Sequence, residues 1–150
     1  MSDFQVSPIG RALIERNEGC ELSAYRDMVG VLTIGFGHTE GVYDGQTITQ
    51  AEADEMLTED LSEKYGLAVN RMCGDAPTTQ GQFDAMTSLA YNVGIAGLGN
   101  STVLRRHLAG EYAEAADAFL MWDKAGGHVV QALLRRRQEE RAMYLGEPST

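Results

Sequence analysis

Residues 15–41 read ERNEGCELSAYRDMVGVLTIGFGHTEG. The stretch leaves a helix at Gly19 and turns into short β-like runs cut by Gly30, Gly35, Gly37 and Gly41. It carries five carboxylates: Glu15, Glu18, Glu21, Asp27 and Glu40. A solvated face would scatter its acids without regard to the backbone, but here two of the five stand at backbone junctions. Glu18 is placed at the end of a helix, where the negative end of the helix dipole favours the protonated carboxyl. Asp27 stands at the end of the first strand, just before a turn. Glu15, Glu21 and Glu40 have no such context and read as solvated surface.

The turn after Asp27 decides the geometry. A three-residue loop Met28-Val29-Gly30, with Gly30 in the left-handed conformation, pairs Asp27 with Val31 and Tyr25 with Thr33. Because side chains alternate along a strand, Tyr25, Asp27, Val31 and Thr33 then share one face, with Gly35 and Gly37 continuing it. Leu32, Ile34 and Phe36 line the other. A four-residue loop would put Asp27 and Thr33 on opposite faces, leaving Asp27 as a turn cap.

Outward from this hairpin the chain is helical. Residues 8–17 have Pro8 in a first turn and Ile9, Leu13 and Ile14 at helical spacing. Thr49-Gln-Ala-Glu52 and Thr79-Gln-Gly-Gln82 have the capping-box form. The first predicts a helix over 50–64 continuing to Met72. The second predicts a helix whose Phe83, Met86, Ala90 and Val93 make one apolar stripe. Ser101 caps a short helix through Leu108, Glu111–Trp122 forms another, and the last runs from Val129 to Leu145. The expected architecture is α+β in one domain of 150 residues: helix and β lobe over 8–48, a connecting helix over 49–72 and a helical lobe over 73–146.

Net charge is −10, and the imbalance is local. Residues 1–100 hold 15 acids and 5 bases, whereas residues 101–150 hold 7 of each. Without a basic footprint, nucleic acid is not an expected partner. Cys20 and Cys73 read as two free, mostly buried thiols. The N-terminal residues show no secretory pattern. Residues 85–104 are uncharged but too rich in Ser, Thr, Asn and Gly for a membrane span, and read as a buried helix followed by a glycine-rich turn. Arg135, Arg136, Arg137 and Arg141 fall on the last helix. Its gapped apolar positions make it a docked surface helix rather than a membrane-active one.

Two carboxylates at a helix-to-strand junction suit glycoside hydrolysis. One protonates the leaving oxygen, and the other stabilises an oxocarbenium-like transition state or activates water. Thr33 offers a hydroxyl to hold that water. A lone histidine such as His38 reads as a structural hydrogen-bonding group.

The spacing of Glu18, Asp27 and Thr33, set in EG, AY-x-D, TIG and GHT elements, resembles the catalytic motif of phage-type lysozymes, the endolysins of glycoside hydrolase family 24. FDAMTSLAYNVG, NSTVLRRHL and LLRRRQEERAMYLG resemble that family's helical segments, so the likeness spans residues 8–146. It implies a lysozyme-like fold with the cleft between the lobes. It further implies cleavage of the β-1,4 bond between N-acetylmuramic acid and N-acetylglucosamine in peptidoglycan. Glu18 would be general acid, with Asp27 and Thr33 placing water and inverting the centre. Tyr91 and Ser101 would face the glycan, and Asn92 is a comparable polar candidate. No cofactor and no metal are expected, since His38, His107 and His128 lack ligand spacing. The rest of the expectation is a monomer made in the host cytoplasm that reaches periplasmic peptidoglycan through a lesion made by a separate holin. Two rivals share the residues: a lytic transglycosylase, for which Asp27 and Thr33 are dispensable, and an inactive glycan-binding virion component.

Overall fold

The computed structural model describes residues 3–147; Met1, Ser2 and Pro148–Thr150, which the expected domain also takes in, lie outside the described residues. Helix α1 runs Pro8–Glu18. Ser7 caps it by accepting the Gly10 N–H, and Pro8 occupies a position whose N–H would have no helical partner. Gly10 is held to glycine by its neighbour, because a β-carbon there would lie 2.7 Å from the Asp84 side chain.

Strands β1 (Glu21–Arg26) and β2 (Leu32–Gly35) pair antiparallel with Tyr25 opposite Thr33 and Arg26 opposite Leu32. The loop is the three-residue one: the Asp27 N–H donates to Val31 O, the Gly30 N–H donates to Asp27 O, and Gly30 has φ +88°. The face assignment fails further on. Ile34 and His38 exchange both backbone hydrogen bonds, so the chain doubles back after Gly35, with Gly35 and Gly37 at φ +66° and +82°. Gly35 therefore backs onto Ile48 and Ala53, and of the two glycines only Gly37 faces Glu18. On the far side of β1, residues 46–48 add hydrogen bonds to Leu22 and Ala24.

Both capping boxes form. From Thr49 the chain is helical without a break to Cys73, as α2 (Gln50–Glu59), a π-helical stretch Asp60–Tyr65 and α3 (Gly66–Cys73). The π stretch has no signature in the sequence pattern. Its widened turn brings the Leu61 carbonyl to within 2.3 Å of where a Gly66 β-carbon would sit. Helix α4 (Gln80–Val93) is the axis of the molecule. Gln82 through Ala90 are all buried rather than one stripe, because α1, α3 and α8 all pack against it. The predicted glycine-rich turn contains a short helix, α5 (Ile95–Gly99).

Ser101 caps α6 (Thr102–Leu108). Next come α7 (Tyr112–Ala118) and a 3₁₀ turn, Phe119–Met121, so the helix expected over Glu111–Trp122 is shorter and ends tighter. A second hairpin, β3 (Lys124–Ala125) with β4 (His128–Val129), takes Val129, the residue expected to start the last helix. Its two-residue turn is Gly126-Gly127, at φ +60° and +80°, a conformation that favours glycine at both positions. Helix α8 then runs Gln131–Leu145. It is docked on the surface through one face, and that face carries charge: Arg136, Arg137 and Glu140 are buried with Tyr144, and a β-carbon on Gly81 of α4 would lie 2.5 Å from the α8 carbonyl of Met143.

Two apolar clusters result. One joins α3 to α8 around Phe83, Met86, Leu89 and Phe119. The other joins α1, Phe36 and α2 through Ile14, Ala53, Leu57 and Leu61. Cys20 is half-buried and Cys73 buried, both free thiols. Among the described residues no helix is long and apolar enough to cross a membrane.

His107 lies inside the larger cluster, with Nε2 2.9 Å from Thr78 Oγ1 and Nδ1 2.6 Å from Tyr144 Oη. Burial pushes its imidazole below the ordinary 6.5. A depressed folded value means that the unfolded chain takes up the proton first. The stability His107 contributes is therefore present above about pH 6.5 and is lost as pH falls below it. In chemical unfolding, the stability advantage of wild type over His107→Gln should narrow between pH 7 and pH 5. A constant difference would contradict this.

Candidate active site

Glu18 is the last residue of α1, and Gly19 (φ +69°) stops the helix there by donating its N–H to Glu15 O. The carboxylate is not left to the helix end alone. Its Oε2 lies 2.6 Å from Nη1 of Arg136 on α8, and that guanidinium is only 4% exposed. The other oxygen, Oε1, lies over Gly37, where a β-carbon would approach it to 3.0 Å. Thus one carboxyl oxygen is held by a buried cation, while the other faces a bare backbone.

Asp27 divides its oxygens in the same way. Oδ1 accepts the N–H groups of Val29 (3.0 Å) and Val31 (2.8 Å), which caps the turn. Oδ2 has no partner among the described residues. The turn-cap reading and a chemical role are therefore compatible, one for each oxygen. Thr33 is buried and donates its hydroxyl to Val31 O at 2.9 Å, which leaves lone pairs on Oγ1 free to accept. Tyr25 stands across the ladder from Thr33. Its phenol is pushed up by burial and by the negative charges of Glu21, Glu18 and Asp27, so the carboxylates of both junctions act on one ring.

Of the other predicted residues, Tyr91 is brought to the site. Its ring edge lies 3.7 Å from a Gly37 β-carbon position, its hydroxyl donates to Phe36 O, and it packs on Tyr65 at 4.7 Å between centroids. Burial first, then the charge of Glu18, pushes the Tyr91 phenol far up. Asn92 is exposed and accepts from Arg137 at 2.9 Å through Oδ1. Ser101 stands apart: it is 5% exposed, caps Leu104 and donates to Leu98 O, so its hydroxyl is engaged within the helical cluster.

Two layers support the site: His38 plays the structural hydrogen-bonding part expected of it, with a partner on the π stretch that the sequence did not indicate, and the charged layer beneath Glu18 was missed. His38 donates through Nε2 to the carbonyl of Glu40 and meets Asp60 of the π stretch at Nδ1, each at 2.7 Å. This ties the Gly35–His38 turn to the connecting helix. Lys64 adds a bond to Glu40 at 3.0 Å, and π stretches often mark such sites. The second layer lies beneath Glu18. Glu140, fully buried, lies 3.3 Å from Nε of Arg136 and 2.7 Å from Nε of Arg137, and accepts the Ser88 hydroxyl. Its legible signal was the i, i+3, i+4 spacing of opposite charges on a helix with no apolar residue at those positions.

Chemically, the site offers a carboxyl with one free oxygen above a bare glycine, and a second carboxylate and hydroxyl able to hold a water molecule. Known proteins resemble this chain over nearly its whole length. A family model described as phage lysozyme matches residues 15–140. An endolysin of Salmonella phage P22 is 42% identical over 147 residues, covering 95% of this chain and 99% of its own length. An endolysin from Escherichia coli O157:H7 phage FAHEc1 superposes with a TM-score of 0.86 at 36% identity, covering 99% of both chains. The muramidase domain of SpmX from Asticaccaulis excentricus gives 0.86 at 37% identity, covering 94% of this chain and 97% of that one.

Gly37 carries two constraints, a positive φ and contact with Glu18. Gly110 has a similar φ, +75°, with nothing within 4 Å of its β-carbon position. Alanine at either position should lower stability by about 1–2 kcal/mol. Only Gly37→Ala should also lower the turnover of folded protein, by roughly tenfold or more, through displaced Glu18. Equal activities of the two folded variants would rule out the contact as a functional one.

Proposed function

This chain belongs to the phage lysozyme family, and on that premise we propose that Glu18 is the general acid of the cleft, with Asp27 and Thr33 as its water-placing pair. The protein is a muramidase of the endolysin type, and its substrate is bacterial peptidoglycan. The observation that carries the residue assignment is the division of oxygens. Arg136 holds Oε2 of Glu18 and leaves Oε1 to deliver a proton to the glycosidic oxygen. Asp27 spends Oδ1 on its own turn and leaves Oδ2 to accept from a water molecule.

The reaction then runs in one displacement. Oε1 protonates the oxygen leaving N-acetylmuramic acid as the β-1,4 bond to N-acetylglucosamine breaks, and positive charge grows on the ring. A water molecule hydrogen-bonded to Asp27 Oδ2 and Thr33 Oγ1 attacks the anomeric carbon from the opposite face and gives up a proton to Asp27 Oδ2 as its C–O bond forms. Asp27 thus ends protonated and Glu18 ionised until the two exchange protons with solvent. The configuration inverts. Gly37 lets the sugar approach without meeting a side chain. Tyr91 and the amide group of Asn92 line the edge of that approach. In the cell, the enzyme reaches the wall through a membrane lesion made by a separate holin.

Turbidity assays on purified peptidoglycan test the roles. Glu18→Gln should slow lysis by about 10²–10⁴-fold and Asp27→Asn by a comparable factor. Asp27→Asn should keep the wild-type melting temperature, while Glu18→Gln should melt lower because buried Arg136 loses a charged partner. Full activity of Glu18→Gln would sink the assignment. Anhydromuramic ends in the digest, with activity surviving Asp27→Asn, would make the enzyme a lytic transglycosylase instead.

A further inference from the structure

Behind Glu18 lies a chain of buried charge that the proton transfer itself does not use. Arg136 is 4% exposed, Arg137 and Glu140 are fully buried, and all three stand on α8. Arg136 reaches forward to Glu18 at 2.6 Å and back to Glu140 at 3.3 Å. Arg137 bonds Glu140 at 3.0 Å and reaches Asn92 at 2.9 Å. Arg136 is further fixed by the Ser88 carbonyl at 3.2 Å. Removing any buried charge from such a set leaves its partner uncompensated. We propose that Glu140 is a positioning residue for the muramidase reaction: it neutralises Arg136 and Arg137, and so sets how strongly Arg136 acts on Glu18 and where Arg137 holds Asn92. This rests on Glu18 being the general acid.

Charge accounting gives the direction of the effect. Glu18, Arg136, Glu140 and Arg137 form two anions and two cations. With Glu140 present, each guanidinium divides its attraction. Without it, Glu18 is the only carboxylate among the described residues bonded to Arg136 and takes the full field of that cation. Among the described residues, the charge of Glu18 also acts on Tyr91 of α4, Tyr65 of the π stretch and Tyr25 of β1, none of them cationic. Nothing from those elements replaces Glu140. Complete burial pushes the Glu140 carboxyl up, and the two guanidiniums with the Ser88 hydroxyl oppose that push. Ser88 therefore belongs to the same device.

The test is the pH–rate profile of purified Glu140→Gln on peptidoglycan, with Glu140→Asp and Glu18→Gln beside it. A general acid must be protonated, so the alkaline limb reports the loss of its proton. In Glu140→Gln that limb should move to lower pH by about half a unit or more. Turnover should fall about tenfold with KM little changed. Glu140→Asp, which keeps the charge, should keep the limb at its wild-type position. Should Glu140→Gln not fold, Ser88→Ala should move the limb the same way by a smaller amount. A folded Glu140→Gln, or in its place Ser88→Ala, with the wild-type limb would overturn the proposal. If Glu18→Gln is itself active, the general-acid assignment fails instead, so the two failures are distinct.

Discussion

The ion pair between Glu18 and Arg136 is the constraint on which the site depends. It joins the end of the first long helix to the last helix, residues 118 positions apart. A guanidinium 4% exposed must be paired where it lies, because an isolated buried charge costs far more than a hydrogen bond returns. The pairing therefore ties α8 to α1 through Glu18 and, through the Ser88 carbonyl, to α4. It also fixes which oxygen of Glu18 is free. Function follows from a folding requirement: the side chain that satisfies Arg136 is left with its other oxygen facing the cleft.

The β-hairpin meets the same demand by local means. Asp27 has no cation to hold it among the described residues, and it binds the N–H groups of its own turn. The turn length then sets everything beyond it. Three residues keep Asp27 beside Val31 and bring Thr33 opposite Tyr25, which stands in the field of both carboxylates. The His38–Asp60 contact anchors the next turn, and with it Gly37, to the connecting helix. The floor of the cleft is thus held from two sides, by charge below Glu18 and by the histidine tie beyond Gly37.

The hairpin register, both capping boxes and the carboxylate junctions were legible because each is a local rule. Gly30, Thr49 with Glu52 and Thr79 with Gln82 act over three or four residues. What escaped was tertiary. Gly35 read as part of a cleft floor, but the Ile34–His38 exchange turns it onto Ile48 and Ala53. The arginines of α8 read as solvated because charge is usually exposed. In fact Leu133 and Leu134 are followed by no apolar residue until Ala142, so a helix packed against α4 over that interval has to bury charges in pairs. Three of the four arginines on α8 are therefore unavailable as a basic patch: Arg136 and Arg137 are buried, and Arg141 pairs with Asp117 at 2.9 Å, which leaves Arg135 exposed. With a net charge of −10, the chain has little long-range attraction for an anionic wall, and recognition falls to the cleft itself.

Labour is divided between the two carboxylates, a proton from Glu18 and a water molecule on Asp27 and Thr33. The most direct measurement is the anomeric configuration of the first-formed reducing end, followed by proton NMR during digestion of a defined glycan. Attack by a placed water on the face opposite the leaving oxygen predicts the α-anomer before mutarotation. A β-anomer or a 1,6-anhydro end would contradict it.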